Sequence, residues 1–140
     1  MIYDLSTLRI NYRATFKASQ FAKENLYWKI VESQDFWSDD DTKILNAIRE
    51  GFVKCHMEMW DELNNWPKTA SGLPSTSGST ATVLFIKKSK AYVGHVGDSG
   101  LVIGYNKNGS SMYNQSLLNA PWLAKKLTKV NMFKTNHHKI

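Results

Sequence analysis

Disulfides, secretion and membrane spanning are the first things this chain withholds. Cys55 is its only cysteine, so no bridge can close within it, which fits a reducing compartment. The opening residues lack the charged-then-apolar order of a secretion signal, and Asp4 and Arg9 interrupt them early. No apolar run reaches the roughly 18 residues that a membrane helix needs, so no membrane span is expected. These absences point to an intracellular protein, nuclear or cytoplasmic. Acidic residues are missing from the end of the chain: from Leu117 onward there are five lysines (Lys125, Lys126, Lys129, Lys134 and Lys139) and no Asp or Glu.

What is present is ordinary for a globular domain. The 140 residues suit one domain with a core of useful size. The apolar and charged fractions, 42% and 21%, are those of a soluble fold. The net charge of +6 is mostly local: outside the lysine-bearing end, thirteen basic residues face twelve acidic ones. Nucleic acid is therefore disfavoured as a partner, and the basic end reads first as a solvated segment.

Two helices are legible. Ala18, Phe21, Ala22, Leu26 and Ile30 recur at steps of three and four from about Phe16 to near Ser33. Ser38-Asp39-Asp40-Asp41 then offers short oxygen side chains and negative charge to a helix start. Ile44, Ile48, Phe52, Cys55, Met59 and Leu63 form the second stripe, which Trp66-Pro67 ends. Gly51 inside it costs roughly 1 kcal/mol against alanine. Two such helices with a short connection should pack antiparallel.

Pro67 to Thr80 is rich in Pro, Gly, Ser and Thr and reads as a loop inside one domain. Three antiparallel strands follow, Thr80–Lys87, Lys90–Val96 and Gly100–Tyr105, with Asp98 held at the tight turn between the second and third. The first and third are almost wholly apolar, which suits a sheet covered on both faces. Asn106–Ser111 reads as a turn. Leu117 to Ile140 has a weak helical period (Leu118, Trp122, Leu127, Val130), with Thr135–Ile140 frayed.

Several sites suggest themselves and fail. Gly97-Asp98-Ser99-Gly100 invites a serine-protease reading, but His95, four residues before Ser99 on the adjoining strand, cannot supply triad geometry. Gly72 to Thr80 lacks the lysine and the following helix of a phosphate loop. Cys55 and His56 with His137 and His138 could be drawn as zinc ligands, but Cys55 sits in an apolar stripe and reads as core. The five tryptophans, Trp28, Trp37, Trp60, Trp66 and Trp122, read as core and helix-edge packing. From the residues alone, Asp98 is first of all a turn aspartate capping its own backbone.

The order of these stretches resembles a known family. S-T-S-G-S-T-A-T-V-L-F-I followed by A-Y-V-G-H-V-G-D-S-G is similar to the middle strands of the metal-dependent protein phosphatases (PPM, type 2C), which carry Ser-Gly-x-Thr-Ala and Val-Gly-Asp-Ser. Q-F-A-K-E-N-L, A-I-R-E-G-F-V-K-C-H-M-E-M-W and W-P-K-T-A-S-G-L-P-S-T-S-G look most like the delta isoform. The resemblance covers about residues 17–104. It implies an α+β fold, part of a four-layer α/β/β/α sandwich with two antiparallel helices on an antiparallel sheet. It implies hydrolysis of phosphoserine and phosphothreonine in phosphoprotein substrates by paired magnesium or manganese ions. By position, Asp98 takes the accessory third-metal role.

The departures from the family pattern shape the rest. The family's Asp-Gly-His-Gly-Gly, which precedes the first helix, corresponds here to L-R-I-N-Y-R-A-T, without carboxylate or glycine. From Asn106 onward the likeness stops, and no acidic residue is left there to complete a metal pair. The expected organisation is a partial phosphatase domain over 17–105 between divergent segments at 1–16 and 106–140. No catalytic residue is assigned, no substrate-binding residue emerges, and Mg or Mn is not expected to stay bound to this chain. The truncated form should be inactive alone and prone to self-association or aggregation. The alternative is a non-catalytic interaction module whose basic tail, Ala120 to Lys139, forms a helix for acidic surfaces.

Overall fold

The computed structural model describes residues 16–73, 78–106, 122–128 and 131–139. They form an α+β unit. Helix α1 spans Phe16–Val31, a single 3-10 turn spans Gln34–Trp37, and helix α2 spans Asp41–Asp61. A second 3-10 turn, Glu62–Asn65, leads into the loop. Strands β1 (Ala81–Lys87), β2 (Lys90–Gly97), β3 (Val102–Asn106), β4 (Trp122–Lys126) and β5 (Asn131–Lys139) complete the order.

The expected helix start is built from two of its residues. Asp40 is the N-cap, its carboxylate accepting from the Thr42 N–H at 2.8 Å, while Ser38 Oγ accepts from the Asp40 N–H at 3.1 Å. Both apolar stripes point inward. Leu26 and Ile30 of α1 pack with Ile44, Ile48, Phe52 and Cys55 of α2. The helices touch where Gly51 meets Ile30, and a Cβ on Gly51 would lie 2.4 Å from Ile30 Cγ1. The same device seats α2 on the sheet: a Cβ on Gly94 would lie 2.6 Å from Phe52 Cε2 and 2.7 Å from Ile48 Cγ2. Val83, Phe85 and Tyr92 complete this core from the helix-facing side.

Strands β1 and β2 make a hairpin whose loop is Lys88-Ser89, so that Phe85 pairs with Tyr92 and Thr82 with His95. On the other face of β2, Ala91, Val93 and His95 are also buried, which is the two-sided cover expected of an apolar run. The hairpin is clasped onto the segment between the helices. The Lys87 ammonium donates to the Trp37 and Ser38 carbonyls. Lys88 pairs with Asp39 at 2.8 Å and Lys90 with Asp41 at 2.6 Å. The Tyr92 hydroxyl donates to Asp41 at 2.8 Å.

The structure corrects four expectations. First, β3 does not pair with β2: it pairs with β4 in a separate two-stranded ribbon, and β2's second neighbour is β5. Second, the described part of the tail is strand, not helix. A weak helical period loses to the hydrogen bonds that β2's free edge offers to any extended segment, so Thr135–Lys139 is paired rather than frayed. Third, the apolar residues of β3 are not all buried: Val102 and Tyr105 are exposed, as is Ile86 of β1. Fourth, Trp28, Trp37 and Trp60 are more than half exposed, and of the tryptophans whose side chains are described only Trp66 joins the buried set. The expected turn at 106–111 lies, apart from Asn106, outside the described residues, as do Leu118 and Val130.

Candidate metal-binding turn

The chemistry-bearing residues singled out by the sequence gather where β2 ends. Gly97 closes the strand at φ +99°, a left-handed conformation that favours glycine. Space demands glycine as well, since a Cβ there would lie 2.5 Å from Thr80 Cγ2. Asp98 comes next and is exposed. Ser99 turns back toward β1, its Oγ 2.7 Å from the Thr80 hydroxyl. Beyond the turn, Leu101 N–H donates to Thr128 Oγ1 at 2.9 Å, and Leu127 N–H donates to the Leu101 carbonyl at 2.8 Å. Lys126 passes beside Gly100, where a Cβ would lie 3.5 Å from its Cε.

His95 stands just before this turn with both ring nitrogens engaged. Nδ1 is 2.9 Å from Thr82 Oγ1 and Nε2 is 3.0 Å from the Gly97 carbonyl. The ring is 2% exposed. Neither nitrogen serves Ser99, whose hydroxyl is taken by Thr80, so the geometry rules out a nucleophilic serine here. Sequence reasoning treated His95 only as a failed catalytic base. Its signal was nonetheless readable: a polar ring inside the apolar run of β2, set opposite Thr82 once the hairpin loop is fixed.

The turn offers a hard oxygen donor suited to a magnesium or manganese ion, with no lysine or arginine among the described residues in salt-bridge reach of it. A pair of ions needs more. Among the described residues no three His, Cys, Asp or Glu side chains come together in a way that could hold a metal. The reason lies in the sequence: of twelve carboxylates, ten fall between Glu24 and Glu62, on the helices and their flanking turns. The described residues here therefore do not fit a paired-metal centre.

The other candidates resolve simply. Cys55 lies in the core, where burial pushes its thiol up to about 11. His56 is exposed, and His137 and His138 lie on β5 in register with Tyr92 and Ala91. Residues 78–80 run straight into strand β1, where a phosphate loop would need a helix, and residues 74–77 lie outside the described residues. A cavity of about 590 Å³ lies between the two helices and the β1–β2 end of the sheet, lined among others by Ala18, Leu26, Met59, Trp60, Ala81 and Val96. No described helix is long and apolar enough to cross a membrane.

Comparison with known proteins places this arrangement. The model of the family described as protein phosphatase 2C matches residues 10–119. Protein phosphatase 2C 57 of Arabidopsis thaliana is 30% identical over 84 residues, 60% of this chain and 22% of that protein. Probable protein phosphatase 2C 11 of the same plant is 34% identical over 96 residues, 69% of this chain and 22% of its own length. The chain thus spans about a fifth of the curated relatives it matches. The likeness runs through both helices and the hairpin that ends at Asp98, and the chain belongs to the protein phosphatase 2C family.

Proposed function

We propose that this chain derives from a metal-dependent protein serine/threonine phosphatase acting on phosphoproteins, and that it does not catalyse phosphate-ester hydrolysis by itself. The observation that carries the first half is the family match across residues 10–119. The observation that carries the second is the dispersal of its carboxylates, which leaves Asp98 the only acidic residue after Glu62. Asp98 is read as the carboxylate of the accessory metal position, holding a hydrated magnesium or manganese ion loosely. No catalytic step is assigned to the residues present. The body is read as 17–105, inside the wider 10–119 span of the family match, and the nearer likeness to the delta isoform rests on the helix and loop stretches of the 17–104 resemblance.

The test is a phosphothreonine-peptide assay of the purified chain with manganese. Phosphate release at background is the expected result, in wild type and in Asp98→Ala alike. Turnover above background in the wild-type chain would refute the reading, whether or not Asp98→Ala abolishes it. The interaction-module alternative draws nothing from the structure, because the basic tail it needs as a helix is paired strand over 131–139.

A further inference from the structure

We propose that the cavity between the two helices and the β1–β2 end of the sheet is a binding site for an uncharged, fused-ring aromatic molecule carrying one N–H or O–H group. This site stands apart from Asp98 and from the phosphatase reading.

Size and position suit a small molecule. The cavity holds about 590 Å³, inside the roughly 300–1,000 Å³ span of small-molecule sites. Leu26, Phe52 and Cys55 of the core form part of its lining, so a ligand there is shielded from water on its inner side. The space arises from unequal side chains. On α1 and β1 the lining is short, with Ala18 and Ala22 one helical turn apart and Ala81 at the strand's start. Ala81 pairs with Val96, which also lines the cavity, as the end rung of the hairpin.

The chemistry of the lining selects the occupant. No Asp, Glu, Lys or Arg stands among the described residues that line the cavity. A charged ligand would therefore lose its hydration with no counter-charge to replace it. Three aromatic side chains do line it: Phe52 and Trp66, both buried, and Trp60, which is 64% exposed. Such rings favour a flat aromatic partner, edge-on or offset-stacked. A straight alkyl chain would fit the volume and forgo those contacts. Polar groups are few. Ser79 belongs to the lining, and its hydroxyl donates to the Thr80 carbonyl at 3.1 Å. Its oxygen can still accept, which gives the ligand's single N–H or O–H a partner.

The test uses the full chain and two dyes that share one skeleton. N-phenyl-1-naphthylamine is uncharged and carries one N–H; 1-anilinonaphthalene-8-sulfonate adds only a sulfonate. Saturable binding of the neutral dye at a single site is expected, read by its fluorescence, with the sulfonate at least about tenfold weaker. Shifts of nitrogen-15 amides should centre on Ala22, Ala81 and Val96. Ala22→Phe, which fills the cavity from α1, should weaken the neutral dye at least about tenfold, since even one methylene in an apolar pocket is worth about that much. Trp60→Ala and Ser79→Ala, both at exposed positions, should weaken it less while leaving the thermal melt at its wild-type value. Should Ala22→Phe prove unfolded, those two variants carry the test. No saturable binding of the neutral dye, as would follow if another part of the chain filled the cavity, overturns the site. So does equal affinity for the two dyes, a set of shifts centred elsewhere, or wild-type affinity in every folded variant.

Discussion

At Gly51 the missing side chain is what lets α1 and α2 touch. Alanine there would gain roughly 1 kcal/mol of helix propensity. Its methyl group would meet Ile30 Cγ1 at 2.4 Å and the Ile30 backbone at 3.0 Å, so the helices themselves must part. Overpacking of this kind costs about 1–3 kcal/mol, so Gly51→Ala should lower the stability read by urea unfolding. An unchanged or higher midpoint would show that the contact is slack. Cys55 gives a second handle at this scale. Its thiol is buried and raised to about 11 by that burial, and the thiolate is the reactive form. A thiol reagent at neutral pH should therefore label Cys55 only through unfolding, with a rate that climbs with denaturant. Rapid labelling in native buffer would place the sulfur nearer the surface than the core packing allows.

Among the elements, the β1–β2 hairpin carries the clearest pH dependence. Burial first, then the bond to Asp41, pushes the Tyr92 phenol up to about 12 from its ordinary value near 10. The folded state thus holds this proton more tightly than the unfolded state. The stabilisation is complete below pH 10 and is lost as the pH rises through 12. Tyr92→Phe should be less stable near neutrality, through the lost bond, and should show a flatter alkaline limb in melts between those values. An equally steep limb would assign the loss to other groups. The helices and this hairpin were legible because local signals set them: a capped start, two apolar stripes, and two apolar runs broken at Lys88-Ser89. The partners of β3 and β5 were not. Pairing between β2 and a strand more than thirty residues away leaves no local trace, and β3 carries the same apolar residues whether it joins one sheet or the other. The turn was legible as a position, through Gly97 and Asp98. The pairing of His95 with Thr82 beside it follows once the hairpin loop is fixed, whereas the contact of Thr80 with Ser99 leaves no local signal.

For the molecule as a whole, the order β1-β2-β5 makes the last strand the cover for an otherwise open edge. Strand β2 is buried from Ala91 to His95, and β5 runs beside it from Lys139 opposite Lys90 to Asn131 opposite Gly97. Ending the chain after Thr128 would leave β2 with unpaired N–H and C=O groups along that side. A flat apolar edge of this kind recruits other strands, and copies of the same hairpin are the nearest supply. Losing β5 should therefore lower the melting temperature sharply and produce concentration-dependent association, monitored by sedimentation velocity. A disordered tail would make the opposite forecast, since removing it would change neither quantity. A truncated chain that stays monomeric and melts with the intact one would show that β5 contributes no cover. Loss of cooperative melting together with association would mean instead that the basic tail, for all its lysines, is held in the fold by the backbone of its neighbour.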